Sequence, residues 1–96
     1  MKREPKKKWI KALESGRYKQ TQENLELDGR YCCLGVLCKT MRIDPRIVKS
    51  SFDFELLSES FLEKVGLTET EQSKLAGMND EGKSFMEIAA YIRANL

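Results

Sequence analysis

Residues 31 to 38 read Tyr-Cys-Cys-Leu-Gly-Val-Leu-Cys: three thiols, one glycine and three aliphatic side chains within eight positions of a 96-residue chain that has no histidine. Such a run is far shorter than the roughly 20 residues that cross a bilayer, and free cysteine packs like a small apolar side chain. It is therefore interior filling. Leu34, Leu37, Cys38 and Met41 recur at i, i+3, i+4 and i+7, which predicts a buried helix starting near Tyr31. Gly35 lies inside that helix, where glycine costs about 1 kcal/mol relative to alanine. Its presence marks a point where a neighbouring backbone or aromatic ring comes close.

A chain of 96 residues supports one core, so residues 1–96 are expected to form a single domain of modest stability, for which homo-oligomer formation is an accessible reinforcement. Apolar residues make up 41% and charged residues 33%, which places the chain among globular proteins. No apolar run is long enough for a membrane span, and no apolar stretch of the signal-peptide kind follows the basic start, so a cytoplasmic, non-membrane protein is expected. Cys32, Cys33 and Cys38 are odd in number and too crowded for a disulfide framework, which fits a reducing compartment.

Local signals divide the rest of the chain. Pro5, the apolar set Trp9, Ile10 and Leu13, and Gly16 as a stop predict a first helix over 6–15, with residues 1–5 as a frayed basic start. Leu25-Glu26-Leu27 followed by Asp28-Gly29 predicts a short β-hairpin near residues 25–32. Asp44-Pro45 reads as an N-cap with proline at the first helical position, opening a short turn. Ser50-Ser51 suggests a loop, after which Phe52, Phe54, Leu56 and Leu57 resume the apolar pattern. Phe61, Leu62 and Val65 predict a helix closed by Gly66; Thr68 with Glu71 opens another toward Ala76; Gly77 and residues 79–82 form a turn. Ser84 with Glu87 opens a final helix with the stripe Phe85, Ile88, Ala89 and Ile92. The expected fold class is mainly α, a small bundle of about five short helices with one short hairpin.

The residue types needed for catalysis are missing or unsupported. A zinc site needs about four ligands in short pairs, whereas here there are three cysteines, no histidine and no Cys-x-x-Cys pair. Cys32 and Cys33 would point about 100° apart on a helix. A cysteine nucleophile needs a lowered pKa, and no histidine exists to supply it. Asp80, Glu81 and Glu87 give no acid–base signal above the background of acidic residues, and neither Gly77 nor Gly82 opens a phosphate loop. The expectation is no catalytic residue, no metal and no cofactor.

Net charge is +2 but uneven: residues 1–19 carry eight basic residues against Glu4 and Glu14, giving +6, and residues 51–96 carry four against nine, giving −5. Such a distribution steers charged partners. Arg17, Tyr18, Lys19 and Gln20 after the first helix, with Asn79, Asp80 and Lys83 before the last, are the candidate ligand or partner-binding residues, because loops at helix ends leave polar groups free to bind. The alternative is nucleic-acid binding through Lys6, Lys7, Lys8 and Lys11, with Trp9 and Tyr18 interleaved as rings. Against this, Trp9 also fits as the core anchor of its helix, and Asn79 and Asp80 also fit as turn-forming residues.

Four blocks carry a family resemblance: Trp9-x-x-x-Leu13-x-Ser15-Gly16-x-Tyr18-x-Gln20, the octet 31–38, Gly66-Leu67, and Leu75-x-x-Met78-Asn79-Asp80-x-Gly82-x-Ser84-Phe85-x-Glu87-Ile88-Ala89. In these the sequence resembles a widespread family of small proteins of tailed bacteriophages and prophages, and it is shortened across residues 42–56 relative to longer members. The resemblance brings no catalytic residue. What it implies is origin, an accessory protein made in the cytoplasm of a bacterial host cell. By analogy with other small phage proteins it would act by binding, as an inhibitor of host defence that blocks a host protein complex or sequesters a small signal molecule.

Overall fold

The computed structural model describes every residue of the chain except Phe52 and Phe54, so the expectation that these two resume the apolar pattern lies outside the described residues. Its centre is a helix that is apolar on every side until its last two residues, Lys39 and Thr40. Cys33–Thr40 (α2) buries every residue from Cys33 to Cys38, as a helix apolar on all sides must. Around it stand Arg3–Glu14 (α1), Pro45–Val48 (α3), Glu59–Val65 (α4), Glu69–Asp80 (α5) and Phe85–Asn95 (α6). Helix α1 packs on α2 and α6, and α5 packs on α2 and α6. The protein is mainly α, with six helices among the described residues; the sixth is α3, expected only as a turn.

The hairpin is present. Glu26–Leu27 and Arg30–Tyr31 pair antiparallel across Asp28-Gly29, and both turn residues have positive φ, 51° and 77°. That is the mirror-image turn whose twist matches the strands. The sequence did not announce the third strand, Lys19–Gln20, which pairs parallel with Arg30–Tyr31. In chain order these are β1 (Lys19–Gln20), β2 (Glu26–Leu27) and β3 (Arg30–Tyr31), arranged β1-β3-β2.

The close approach expected at Gly35 is made by the backbone of Leu25. A Cβ at Gly35 would overlap the Leu25 carbonyl oxygen and lie 2.9 Å from its carbonyl carbon, with the Tyr31 Cβ at 3.4 Å. The missing side chain is the space in which the loop entering β2 sits on α2. Trp9 is fully buried, and its indole N–H donates to the Cys33 carbonyl at 2.8 Å, which joins α1 to α2. This removes Trp9 as a stacking ring for nucleic acid.

Several boundaries move, each for a local reason. Helix α1 begins at Arg3 rather than Lys6, because the Lys2 N–H donates to the Val65 carbonyl at 2.9 Å; the start expected to fray is docked on the end of α4. Helix α2 begins at Cys33, since Tyr31 is taken into β3. Helix α5 runs through Gly77 to Asp80, so Asn79 and Asp80 belong to its last turn and not to the loop after it. Leu75 and Asn79 stand four residues apart on one buried face, and that face carries the helix past the glycine.

The capping signals act where the sequence places them. Thr68 with Glu71 and Ser84 with Glu87 form complete capping boxes, and the Asp44 side chain accepts from the Arg46 N–H. Glu87 is thereby committed to α6, its carboxyl held below the usual range by the Ser84 donors. Buried Gln72, unforeseen in the sequence, accepts from the Leu57 N–H at 2.7 Å and fixes the chain entering α4 against α5.

Candidate binding cleft

The three thiols are free and buried. Burial pushes Cys32 up to about 11 and Cys38 up to about 12, and raises Cys33 well above the ordinary thiol value. The Cys33 thiol also donates to the Leu75 carbonyl at 3.6 Å. These are packing groups with little thiolate character, and no cluster of three or more potential metal ligands exists among the described residues.

A pH dependence follows. The folded thiols hold their protons to higher pH than the unfolded ones, so between about pH 9 and pH 12 unfolding releases protons and folding is disfavoured. Stability is expected to be level below the unfolded thiol pKa and then to fall, by up to about 1.4 kcal/mol per pH unit for each thiol. Urea melts at pH 8, 9 and 10 measure this. The Cys38→Ala variant should show a shallower fall, and equal slopes would contradict the assignment.

The two polar segments chosen from the sequence meet. The Gln20 side-chain N–H₂ donates to Asn79 Oδ1 at 2.8 Å and to the Lys83 carbonyl at 2.7 Å. Asn79 is fully buried, and its Oδ1 also accepts from the Cys33 N–H at 3.1 Å while its Nδ2 donates to the Thr21 carbonyl at 2.8 Å. Cys32, at the N-cap of α2, offers no side-chain cap, so Asn79 supplies the missing acceptor from another helix. Beside it the Asp80 carboxylate accepts from the Glu23 N–H at 2.9 Å, steadying a residue with φ of 62°. Gln20 and Asn79 are thus structural ties, and Asp80 secures the loop. Lys83 is exposed in the turn before α6, and Lys19 is exposed on β1.

What these ties position is the segment just before them. Arg17 and Tyr18, with Lys8 and Lys11 one helical turn apart on α1, line a single cleft of about 320 Å³ completed by Ala12, Ser15 and Thr40. The structure brings together members of both sequence-derived sets, Arg17 and Tyr18 from one and Lys8 and Lys11 from the other. Lys6 and Lys7 lie outside its lining. Ala12, Ser15 and Thr40 were missed, since no composition or spacing signal marks a residue whose part is to form a wall.

The electrostatics of the cleft are one-sided. Lys8, Lys11 and Arg17 have no ion-pair partner among the described residues. The carboxylate of the last turn of α1, Glu14, is taken by Arg93 at 2.8 and 3.1 Å, which holds its pKa below the usual value. Ser15 and Thr40, at the C-terminal ends of α1 and α2, line the same cleft, so the partial negative charges of two helix ends, about half a unit each at most, lie near it. Three full cations outweigh them. The Ser15 hydroxyl donates to the Ala12 carbonyl at 2.6 Å and accepts from the Arg17 N–H at 3.2 Å, fixing the backbone at Arg17. Tyr18 is half-buried and packs edge-to-face with Tyr31, centroids 5.7 Å apart at 86°, while Lys39 Nζ lies 5.8 Å from the centre of the Tyr31 ring.

Residues 1–44 are similar to a family described as a domain of unknown function (DUF8296). The matched segment contains α1, the small sheet and α2, and hence all seven residues lining the cleft. No curated protein and no solved structure matches the chain.

Proposed function

We propose that this protein acts by binding and not by catalysis, as a phage accessory protein that inhibits a host defence system, and that the cleft between α1 and the end of α2 captures a small anionic signal molecule. The observation that carries this reading is the gathering of Lys8, Lys11 and Arg17, with no ion-pair partner among the described residues, around one cleft of about 320 Å³, at the small end of the range for ligand sites. The proposed origin rests on the sequence motifs. The proposed mode of action draws further support from the thiols, which are sealed in the core and unsuited to nucleophilic chemistry.

The test is to incubate the purified protein with a small-molecule extract of bacterial cytoplasm, repurify it, heat it and identify what is released. A phosphate- or carboxylate-bearing compound should come from the native protein and not from the Lys11→Glu/Arg17→Glu variant. Equal recovery from both, or none from either, removes the proposal.

A second reading, nucleic-acid binding through the basic first helix, draws support from Lys39 over Tyr31, which carries the basic and aromatic strip past the cleft. Titration with random DNA and RNA at two salt concentrations separates the two. Binding that weakens steeply with salt favours nucleic acid; its absence leaves the small molecule.

A further inference from the structure

The cleft has two kinds of wall. One is cationic, made by Lys8, Lys11 and Arg17; the other is apolar, made by Ala12 and the half-buried ring of Tyr18. An inorganic anion would use the first and leave the second wetted for nothing. The Tyr18 ring is held against Tyr31 by a contact within the protein, so its surface is already in place for a planar group.

The hydroxyls add a third element. Ser15 and Thr40 each spend their hydrogen on a backbone carbonyl, Ser15 on Ala12 at 2.6 Å and Thr40 on Leu37 at 2.7 Å. Their oxygens keep acceptor capacity only, Thr40 in full and Ser15 in part, since Ser15 already accepts from the Arg17 N–H. Phosphate oxygens at neutral pH have little to donate and match the lysines and arginine, whereas sugar hydroxyls and base amino groups donate and match Ser15 and Thr40.

We infer that the ligand of this cleft is a nucleotide, its phosphates between Lys8, Lys11 and Arg17, its ring against Tyr18 and Ala12, and its hydroxyl or amino donors on Ser15 and Thr40. The inference rests on the reading of the cleft as an anion site and narrows it. A free nucleotide is favoured over a strand because one cleft of about 320 Å³ with a single lining ring provides for one base, and strand binding relies on successive stacking platforms.

Calorimetric titration of the native chain with ADP, GDP, CDP, UDP, pyrophosphate, adenosine and a 15-nucleotide oligothymidine tests it. At least one nucleoside diphosphate should bind tenfold or more tightly than both pyrophosphate and adenosine. Tyr18→Leu should erase that advantage while leaving pyrophosphate affinity within twofold, Tyr18→Phe should retain it, and Arg17→Gln, at an exposed position, should weaken diphosphate and pyrophosphate alike. Pyrophosphate binding as well as every nucleotide would overturn the nucleotide assignment while sparing the anion site. No binding of any probe at millimolar concentration would overturn both. Tighter binding of the oligonucleotide than of any diphosphate would overturn the assignment in favour of a strand.

Discussion

Replacing Asn79 with alanine is expected to remove about 3 kcal/mol of folding stability, and more where the vacated space stays empty. Asn79 is fully buried and serves three partners, the Gln20 amide, the Cys33 N–H and the Thr21 carbonyl. Each buried group left without a partner costs about 1 to 3 kcal/mol. Gln20 keeps the Lys83 carbonyl, so the main losses are the Cys33 N–H and the Thr21 carbonyl. For a domain whose whole stability is of order 5 to 15 kcal/mol, this is a large share. The control is its neighbour: Asp80→Ala removes an exposed acceptor from the Glu23 N–H, which water replaces, and should cost under about 1 kcal/mol. Urea melts of the two variants measure the difference. Equal losses would mean that the buried hub carries no special weight.

Gly35→Ala makes a prediction of opposite sign to helix propensity. Inside a helix, alanine in place of glycine should stabilise by about 1 kcal/mol. Here the added methyl would overlap the Leu25 carbonyl oxygen, which is backbone and cannot swing aside as a side-chain tip does. Overpacking of this kind costs about 1 to 3 kcal/mol, and against backbone the upper end applies, so after the propensity gain of about 1 kcal/mol a net loss of about 2 kcal/mol is expected, with displacement of the Leu25 loop. Gly77→Ala is the internal comparison: it too lies in a helix, but an added Cβ meets nothing within 4 Å, so it should be neutral to stabilising. In thermal melts Gly35→Ala should fall well below the native protein while Gly77→Ala stays level or rises. Stabilisation by both would mean that the loop yields freely.

The two substitutions separate what can be read locally from what cannot. The glycine inside the octet signalled a close approach because a mid-helix glycine is costly without a reason, but the identity of the neighbour, Leu25, depends on how the hairpin folds back. In sequence Asn79 fits a turn, because asparagine beside aspartate and glycine usually forms one, and a polar turn residue is a candidate for binding. Its true role depends on partners 46 to 59 residues away, to which no window of sequence is sensitive. The cleft is similar: Lys8, Lys11, Arg17 and Tyr18 stood out as charge and aromatic interleaving, but Thr40 joins them only because α2 packs on α1.

By itself the sequence settled the elements whose cause lies within three or four residues: the capping boxes of α5 and α6, the Asp44-Pro45 start of α3, the Asp28-Gly29 turn and the burial of Cys32 to Cys38, since caps, turns and apolar stripes act over that distance. The tertiary structure alone decided the parallel pairing of β1, the extension of α5 to Asp80, the conversion of Gln20 and Asn79 into ties, and the gathering of cations around one cleft. Those outcomes follow from the need of each buried polar group for a partner, and the partner is whatever side chain or backbone group the packing brings near.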